Sequence, residues 1–270
     1  MAVPGFWDSE AGWLLRFTPS QAGEWQYAVT VQDNRGVSPA ATGSFAVTPS
    51  EHHGWLLPGN QVNPNFSGHY LVHHDGTPFY GVGYCEALNI LIDGFDVEDG
   101  VRLFDTMQES NQNFVVWWPL YSNTPLGSYD RYTQSNLDLI DLVVADAQSE
   151  GIYLIFTVWD HPELRDNTHA WGTGRWESNG FKNLGSLDSF FVSEEAWAWQ
   201  ENFYRYLIAR WGYSPAIGMW QTVSEINGTN AYDQTDAWHS KVNDYFVAND
   251  PYRHPTTASM AGDVDWEAGH

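Results

Sequence analysis

The stretch Gly218–Gly228, which reads GMWQTVSEING, places a carboxylate directly after an apolar segment. Residues 218–223 have the composition of a buried strand, and Ser224, Glu225 and Asn227 follow where that strand would end. A carboxylic acid in an apolar surrounding can act as a proton donor in catalysis, because burial raises its pKa towards the working range. A surface glutamate where a strand meets its loop would have the same local sequence. Whether Glu225 belongs to a catalytic site therefore depends on which residues follow the other predicted strands.

Three further predicted strands end in side chains that could join Glu225 in one site. The candidates are Glu86 after the first strand, Trp117 and Trp118 after the second, Trp159, Asp160 and His161 after the third, and Ser224, Glu225 and Asn227 after the fourth. Because the carboxyl ends of parallel strands meet at one face of a barrel, we expect these side chains to converge. Polar groups and indoles suit a polyhydroxylated ring. The alternative is that some of the tryptophans close the end of the barrel as core residues.

The elements that must position these residues alternate between strand and helix patterns. Apolar runs predict five strands, within residues 77–85, 113–120, 152–160, 216–223 and 254–260. Apolar residues at helical spacing lie between them, and one predicted helix ends at Gly151, a typical C-terminal glycine. This alternation predicts an α/β fold with a parallel sheet. Because no glycine-rich phosphate turn follows the first strand, a TIM (β/α)8 barrel is favoured over a nucleotide-binding open sheet, and five strands amount to a partial barrel.

The first 48 residues have a different pattern. Short runs rich in Val, Thr and aromatic residues are separated by Gly, Pro, Asn and Ser, which predicts β-hairpins. Within Trp25–Val31 every second residue is apolar, as in a strand with one buried face. We therefore expect a small, incomplete immunoglobulin-like β-sandwich at 1–48, a linker rich in Pro, Gly and Asn at 49–68, and the barrel at 69–270.

Composition narrows the classes of partner and cofactor. Acidic residues outnumber basic ones 34 to 11, and the resulting formal charge of −23 disfavours nucleic acid and anionic membranes as partners. The sequence contains no apolar run of about 18 residues, so it predicts no membrane span. The single cysteine, Cys85, excludes an intrachain disulfide. Neighbouring residues of an extended chain point to opposite sides, so neither His52–His53 nor His73–His74 is expected to bind one metal ion, and we expect no cofactor.

In chain order, five segments resemble the retaining glycoside hydrolases built on (β/α)8 barrels, the clan (clan A) that includes cellulases, β-mannanases and β-glucosidases. The segments read GTPFYGVGY, FVVWWPLY, YLIFTVWDHPEL, GMWQTVSEING and DPYRHPTTAS. The N-terminal hairpins narrow the resemblance to bacterial members that carry an immunoglobulin-like domain. The resemblance implies double-displacement hydrolysis of a β-linked poly- or oligosaccharide, without a cofactor, by a secreted or periplasmic protein, although the opening residues lack a signal-peptide pattern. Glu225 matches the acid/base glutamate that follows strand four.

Three departures from the family pattern bear on this interpretation. Ser224 stands where the family has an Asn that hydrogen-bonds the sugar 2-OH. The second strand carries no arginine of the kind that many members place there. The nucleophile glutamate of the family follows strand seven, which would lie beyond His270. The resemblance therefore implies a fragment truncated at both ends that by itself is inactive or nearly so.

Two other classes of function remain open from the sequence. A carbohydrate-binding or scaffolding protein could keep the aromatic cleft without catalysis, which agrees with Ser224 and with the missing partner carboxylate. A metal-dependent hydrolase could use a similar barrel, but it would require ligands that the sequence does not group together. Binding without product formation would support the first of these, and loss of activity with a chelator would support the second.

Overall fold

A computed structural model describes residues 1–84, 97–120, 124–169, 172–230 and 232–261 of the chain. Its strands are β1 (Phe6–Asp8), β2 (Gly12–Leu14), β3 (Gly23–Val29), β4 (Gln32–Asp33), β5 (Gly36–Val37), β6 (Ala41–Val47), β7 (Leu56–Pro58), β8 (Leu71–His73), β9 (Gly83–Tyr84), β10 (Phe114–Trp117), β11 (Leu126–Ser128), β12 (Arg131–Tyr132), β13 (Tyr153–Asp160), β14 (Thr168–His169), β15 (Gly172–Thr173), β16 (Ile217–Ser224) and β17 (Thr256–Ala258). Its helices are α1 (Gly59–Val62), α2 (Val97–Glu109), α3 (Gln134–Glu150), α4 (Leu187–Val192), α5 (Glu194–Trp211) and α6 (Tyr232–Asn249).

The centre of the fold is one parallel sheet in which β9, β10, β13, β16 and β17 neighbour each other in chain order. Helices α2, α3, α5 and α6 lie in the four successive connections between these strands. Every crossover advances the sheet by one strand in the same direction, whereas a doubly wound sheet reverses its direction. The predicted α/β class with a parallel sheet is confirmed, and its winding is that of a (β/α) barrel.

Aromatic packing holds the helices against this sheet. On β13 the ring of Phe156 packs on Trp211 of α5 and on Trp220 of β16, with centroids 5.4 and 5.3 Å apart. Trp220 in turn packs on Phe246 of α6 at 5.5 Å. Helix α3 ends at Gly151, whose φ of 69° is left-handed, as the sequence predicted. These layers fix where β13 and β16 end, and therefore where the polar residues that follow them lie.

The first strand of the sheet is much shorter than the sequence predicted. Up to Tyr84, where the described part of this segment ends, only Gly83 and Tyr84 pair with β10. Ahead of them the side chain of Asn113 binds the main chain instead: its Oδ1 accepts from Val82 N at 2.9 Å and its Nδ2 donates to Tyr80 O at 3.0 Å. Gly83 is required here, since a Cβ would lie 1.6 Å from the carbonyl oxygen of Phe114.

The stretch predicted as a linker, 49–68, contains β7 and α1. Leu56 and Leu57 are buried, and β7 pairs antiparallel with β8. Trp55 stacks on Tyr252 at the turn before β17, with ring centroids 4.8 Å apart. The composition rich in Pro and Gly therefore marks a compact hairpin that packs near the amino ends of the strands, where Leu56 contacts Gly218.

The N-terminal segment consists of two-stranded antiparallel ladders, in which β1 pairs with β2, β3 with β6 and β4 with β5. The first hairpin packs on the barrel helices: Phe6 is 2% exposed and contacts the ring of Tyr206 at 5.8 Å. The Tyr206 hydroxyl donates to the carbonyl oxygen of Trp7 at 3.0 Å. The immunoglobulin-like sandwich and its boundary at residue 48 remain predictions.

A buried arginine joins this hairpin to α3 and α5. Arg210 of α5 donates to Asp8 at 3.0 Å, to Asp138 at 3.3 Å and to both carboxylate oxygens of Asp141, at 3.1 and 2.8 Å. Arg16 binds the same Asp141 carboxylate at 2.9 and 2.6 Å. We call these five residues the Arg210 cluster. Burial acts to raise the pKa of Asp141, but the hydrogen bonds from Arg16 and Arg210 outweigh it and lower that pKa.

Candidate functional site

Four of the predicted residues lie together at the carboxyl ends of β13 and β16. Asp160, His161, Ser224 and Glu225 form what we call the strand-end site, in which Asp160 and Ser224 are register partners. His161 Nδ1 lies 3.3 Å from Glu225 Oε2 and 3.4 Å from Asp160 Oδ1. The Glu225 side chain is 40% exposed and that of His161 is 10% exposed. The site thus presents a carboxyl group that a ligand can reach, supported by a buried imidazole.

The segment WDHPE forms a tight turn that fixes His161. Asp160 Oδ1 accepts from the His161 amide at 3.0 Å, and Glu163 Oε2 accepts from the Asp160 amide at 3.3 Å. Asp160 is the N-cap of a capping box in which His161 takes the first position and Pro162 the second. The imidazole packs against Gly228 of the next loop, where a Cβ would lie 2.8 Å from the ring. Because a glycine is needed at 228, the motif EING is part of the support for His161.

Hydrogen bonds also join the two loops of the site to each other. Arg165 is 1% exposed and its Nη1 donates to the carbonyl oxygen of Gly228 at 3.3 Å. The amide of Asn230 donates to the carbonyl oxygen of Leu164 at 3.3 Å. The loop after β13 and the loop after β16 are therefore one connected unit, and a shift of either would move both Glu225 and His161.

Glu225 has an unusual main-chain conformation. Its φ of 53° and ψ of 54° are left-handed, which costs a residue other than glycine about 1–2 kcal/mol. Its amide donates to Ser259 Oγ at 2.9 Å, and its carbonyl oxygen accepts from the Gly228 amide at 2.7 Å. Strained main chain of this kind persists only where its surroundings hold it, and it concentrates at functional sites.

Asn227, predicted to contact a ligand, is bound instead to the main chain after β17. Its Nδ2 donates to the carbonyl oxygen of Ala261 at 2.8 Å, and its Oδ1 accepts from the amide of Ala261 at 2.9 Å. Only one amide proton and one lone pair of the side chain remain for any ligand. Its main contribution in the described chain is to connect the loop after β16 to the segment after β17.

Two of the predicted tryptophans lie in the core, which corrects the expectation that they face a ligand. Trp117 is 1% exposed and packs on Phe156, on the helix side of the sheet. Trp159 is 3% exposed, and its indole donates to the hydroxyl of Tyr204 in α5 at 3.0 Å. Trp118 is half-buried and follows the last residue of β10. The prediction for Glu86 falls outside the described residues.

A small cleft lies beside the strand-end site, and the buried Glu163, which the sequence did not single out, lines it. It has a volume of about 60 Å³, well below that of typical ligand pockets. Its lining consists of Thr124, Leu126, Trp159, Glu163, Arg175, Ser178, Asn179 and Gly180. Burial, assisted by the charge of Asp160, raises the pKa of Glu163 to about 8. Glu163 is therefore protonated in the folded protein at neutral pH.

We expect Glu163→Gln to remove a pH dependence from the stability of the chain. The folded-state pKa of Glu163 is about 8 and its ordinary value is 4.5, so the unfolded state releases the proton first and wild-type stability falls as pH rises from about 4.5 to 8. Urea unfolding between pH 5 and 9 should show a smaller decline for Glu163→Gln than for wild type. The exposed Glu24→Gln variant is the control, and equal slopes in all three proteins would contradict the assignment.

The histidine pairs approach each other without forming a metal site in the described chain. His53 Nδ1 lies 2.7 Å from Asp75 Oδ2, and the rings of His53 and His73 are 5.0 Å apart. His73 Nδ1 is 3.0 Å from the hydroxyl of Tyr153, which donates to Gly54 O. Within the described ranges, His, Cys, Asp and Glu side chains form no group of three arranged to hold a metal ion. In the same ranges no helix has the length and apolar character of a membrane span.

Comparison with known families and proteins adds to these observations. Residues 1–32 match the model of a domain of unknown function, DUF5060, and this range contains β1, β2 and the whole of β3. The curated proteins include no match to this chain. The matched segment contains the hairpin and the two residues, Asp8 and Arg16, through which the Arg210 cluster attaches it to the barrel helices.

Several solved structures with a similar fold are glycoside hydrolases. A candidate glycoside hydrolase from Bacteroides vulgatus has a TM-score of 0.68 at 18% identity, over 98% of this chain and 50% of that chain. An endo-1,4-β-mannanase from Rhizomucor miehei has a TM-score of 0.54 at 19% identity, over 74% of this chain and 61% of that one. A glycoside hydrolase family 5 mannosidase from the same organism has a TM-score of 0.55 at 12% identity, over 80% of this chain and 58% of that one.

These comparisons establish the class of fold. The chain has the parallel α/β architecture of TIM-barrel glycoside hydrolases, and it spans between half and about three-fifths of the length of these three structures. At this level of identity the similarity extends to the fold, and the chemistry must be argued from the strand-end site.

Proposed function

We propose that this chain carries the acid/base half of a retaining β-glycosidase acting on a β-linked poly- or oligosaccharide. The observation that carries the proposal is Glu225: a ligand-accessible carboxyl group at the end of the fourth sheet strand, held in a left-handed conformation and supported by His161. The barrel fold shared with glycoside hydrolases agrees with this assignment. An acidic surface of net charge −23 favours a neutral glycan over an anionic one.

In the proposed reaction Glu225 acts twice. As an acid it gives its proton to the glycosidic oxygen while a second carboxylate attacks the anomeric carbon, so that the C–O bond breaks and a glycosyl–enzyme ester forms. As a base it then takes a proton from water, whose oxygen displaces that carboxylate and leaves the product with its original anomeric configuration. Among the described residues we assign no nucleophile, which the resemblance places after a later strand.

The other residues of the site have supporting roles in this proposal. His161, whose Nδ1 lies 3.3 Å from Glu225 and 3.4 Å from Asp160, orients the Glu225 carboxyl group, and Asp160 accepts hydrogen bonds from sugar hydroxyls. The half-buried Trp118 offers an indole face to a sugar ring. Glu86 remains a proposed contact on the resemblance alone. Such an enzyme needs neither a metal nor an organic cofactor, and its polymeric substrate favours a secreted or periplasmic location.

The test uses the product of the complete open reading frame that encodes this chain. It should hydrolyse at least one of a panel of β-1,4-linked manno-, gluco- and xylo-oligosaccharides, and proton NMR of the first product should show the β-anomer before mutarotation. Formation of the α-anomer would overturn the retaining mechanism. For variants of Glu225 the matched control is Glu195→Gln, at an exposed position near the start of α5, and it should hydrolyse the same oligosaccharides as the wild type does.

A second candidate function, carbohydrate binding without hydrolysis, is favoured by one observation. Ser224 is 4% exposed, so its hydroxyl is not presented to a ligand as the amide of the family's Asn would be. Calorimetry with the same oligosaccharides distinguishes the two candidates. Binding of a glycan without any product on prolonged incubation would establish the second and exclude the first.

A further inference from the structure

Left-handed main chain is rare in this protein outside glycine. In the described chain three other residues adopt it: Asn111 at φ 56°, Glu225 at φ 53° and Arg253 at φ 63°. Asn111 follows the end of α2 and Arg253 is an exposed turn residue, which are ordinary places for such a conformation. Glu225 differs, because it lies where a buried sheet strand ends and its side chain is long.

The segment after β17 supplies the contacts that hold this conformation. Ser259 Oγ accepts from the amide of Glu225 at 2.9 Å, and the Ser259 carbonyl oxygen accepts from the amide of Ile226 at 3.0 Å. The Ser259 amide donates to the carbonyl oxygen of Val223 at 3.1 Å. Ser259 alone thus makes hydrogen bonds with Val223, Glu225 and Ile226.

A second contact lies two residues further along. The side-chain amide of Asn227 exchanges two hydrogen bonds with the main chain of Ala261, in the way that one peptide group pairs with another. The turn from Glu225 to Asn227 is therefore attached at both ends to the segment 259–261. The carbonyl oxygen of Glu225 is occupied by Gly228 within the turn, so the main-chain amide and carbonyl of Glu225 both have partners.

We infer that Ser259 and Asn227 are positioning residues for Glu225, and that together they hold its carboxyl group against His161 by fixing a left-handed turn. Without them the main chain at 225 relaxes to an ordinary conformation, which redirects the Cα–Cβ bond and moves the carboxyl group away from the 3.3 Å contact with His161. As far as it concerns catalysis, this inference rests on the proposed function of Glu225.

The test compares variants of the complete reading-frame product on the oligosaccharide that the wild type hydrolyses. Ser259→Ala removes the acceptor for the Glu225 amide and should lower kcat by about 10–100-fold with KM changed by less than about threefold, as expected when a reacting group is misplaced by a fraction of an ångström. Ser259→Thr keeps the hydroxyl and should restore kcat to within about threefold of wild type. Asn227→Ala should behave like Ser259→Ala.

The control is Ser193→Ala, which removes a comparable side-chain acceptor for a main-chain amide, that of Ala196 at the start of α5, far from the site in the chain. It should lose similar thermal stability and keep its kcat. If Ser259→Ala and Ser193→Ala have the same kcat, the inference is overturned.

A spectroscopic measurement keeps the inference separate from the proposed function. In the isotope-labelled 270-residue chain, scalar couplings and carbon shifts at residue 225 report φ and ψ directly. The wild type should show left-handed values, and Ser259→Ala should lose them while Ser259→Thr keeps them. If the protein hydrolyses no glycan, the proposed function fails, but this measurement still decides whether Ser259 fixes the turn. Unchanged couplings in Ser259→Ala would overturn the inference that Ser259 holds Glu225 in its left-handed conformation.

Discussion

Glu225→Gln is expected to lower the turnover of unactivated β-linked oligosaccharides by about 10²–10⁴-fold, the usual contribution of general acid–base catalysis. Glutamine keeps the size of the side chain but cannot give up a proton as an acid, so the loss reports the missing proton. Aryl glycosides with good leaving groups need no protonation, so the formation of their glycosyl–enzyme should be much less affected. The measurement is kcat for both substrate types and the burst of released phenol for the activated one.

Glu225→Ala gives an independent check on the same role. Azide needs no general base, so it should attack the glycosyl–enzyme directly, raise the turnover of an activated aryl glycoside and yield a β-glycosyl azide. Glu195→Gln is the control and should respond to azide as the wild type does. If both substrate types turn over normally in Glu225→Gln, Glu225 has no part in the reaction.

Arg210→Met is expected to cost about 3–5 kcal/mol of unfolding free energy, because it leaves the buried Asp8 carboxylate without its cation and Asp141 with Arg16 alone. Arg210 is 1% exposed and binds Asp8, Asp138 and Asp141, so its removal strands negative charge between the N-terminal hairpin, α3 and α5. Methionine fills most of the volume of the aliphatic part of the arginine side chain, so the loss reports the missing positive charge rather than a cavity. Urea unfolding followed by Trp fluorescence measures the loss.

Two variants delimit that effect. Arg35→Met removes an arginine whose side chain is 88% exposed and paired with Asp33, and it should change stability by less than about 1 kcal/mol. Arg210→Lys keeps the charge but not the bidentate contact with Asp141. Its loss of unfolding free energy should lie between those of Arg35→Met and Arg210→Met. A loss below about 1 kcal/mol for Arg210→Met would mean that the cluster does not stabilise the fold.

The order of elements was predictable because each of them has a local signature. The unbroken apolar run before Asp160 and the one before Ser224 predicted β13 and β16 nearly to the residue, and Gly151 marked the end of α3. The convergence of Asp160, His161 and Glu225 followed from a general rule about parallel strands. The short turns and hairpins between β13 and α5 were missed, since runs of three or four residues carry no periodic signal.

The orientation of individual side chains could not be predicted in the same way. In a strand covered on both faces, apolar residues occupy every position, so the sequence around Trp117 and Trp159 does not reveal that both face the helices. The partner of Asn227 is 34 residues away, and nothing local to GMWQTVSEING indicates that its amide would pair with Ala261. The burial of Glu163 likewise depends on the packing of Asn179 and Arg175 against it.

The dependence of the Glu225 turn on Ser259 and Ala261 also sets an order of events during biosynthesis. The chain is made from its N-terminus, so β9 to β16 have been synthesised before the residues after β17 are added. At that stage Glu225 is present but has no partner for its amide, and the turn has no reason to be left-handed. If Ser259 fixes the turn as inferred, the strand-end site is completed only when a segment 34 residues later in the chain docks, and a chain shortened ahead of Ser259 lacks the partner of the Glu225 amide.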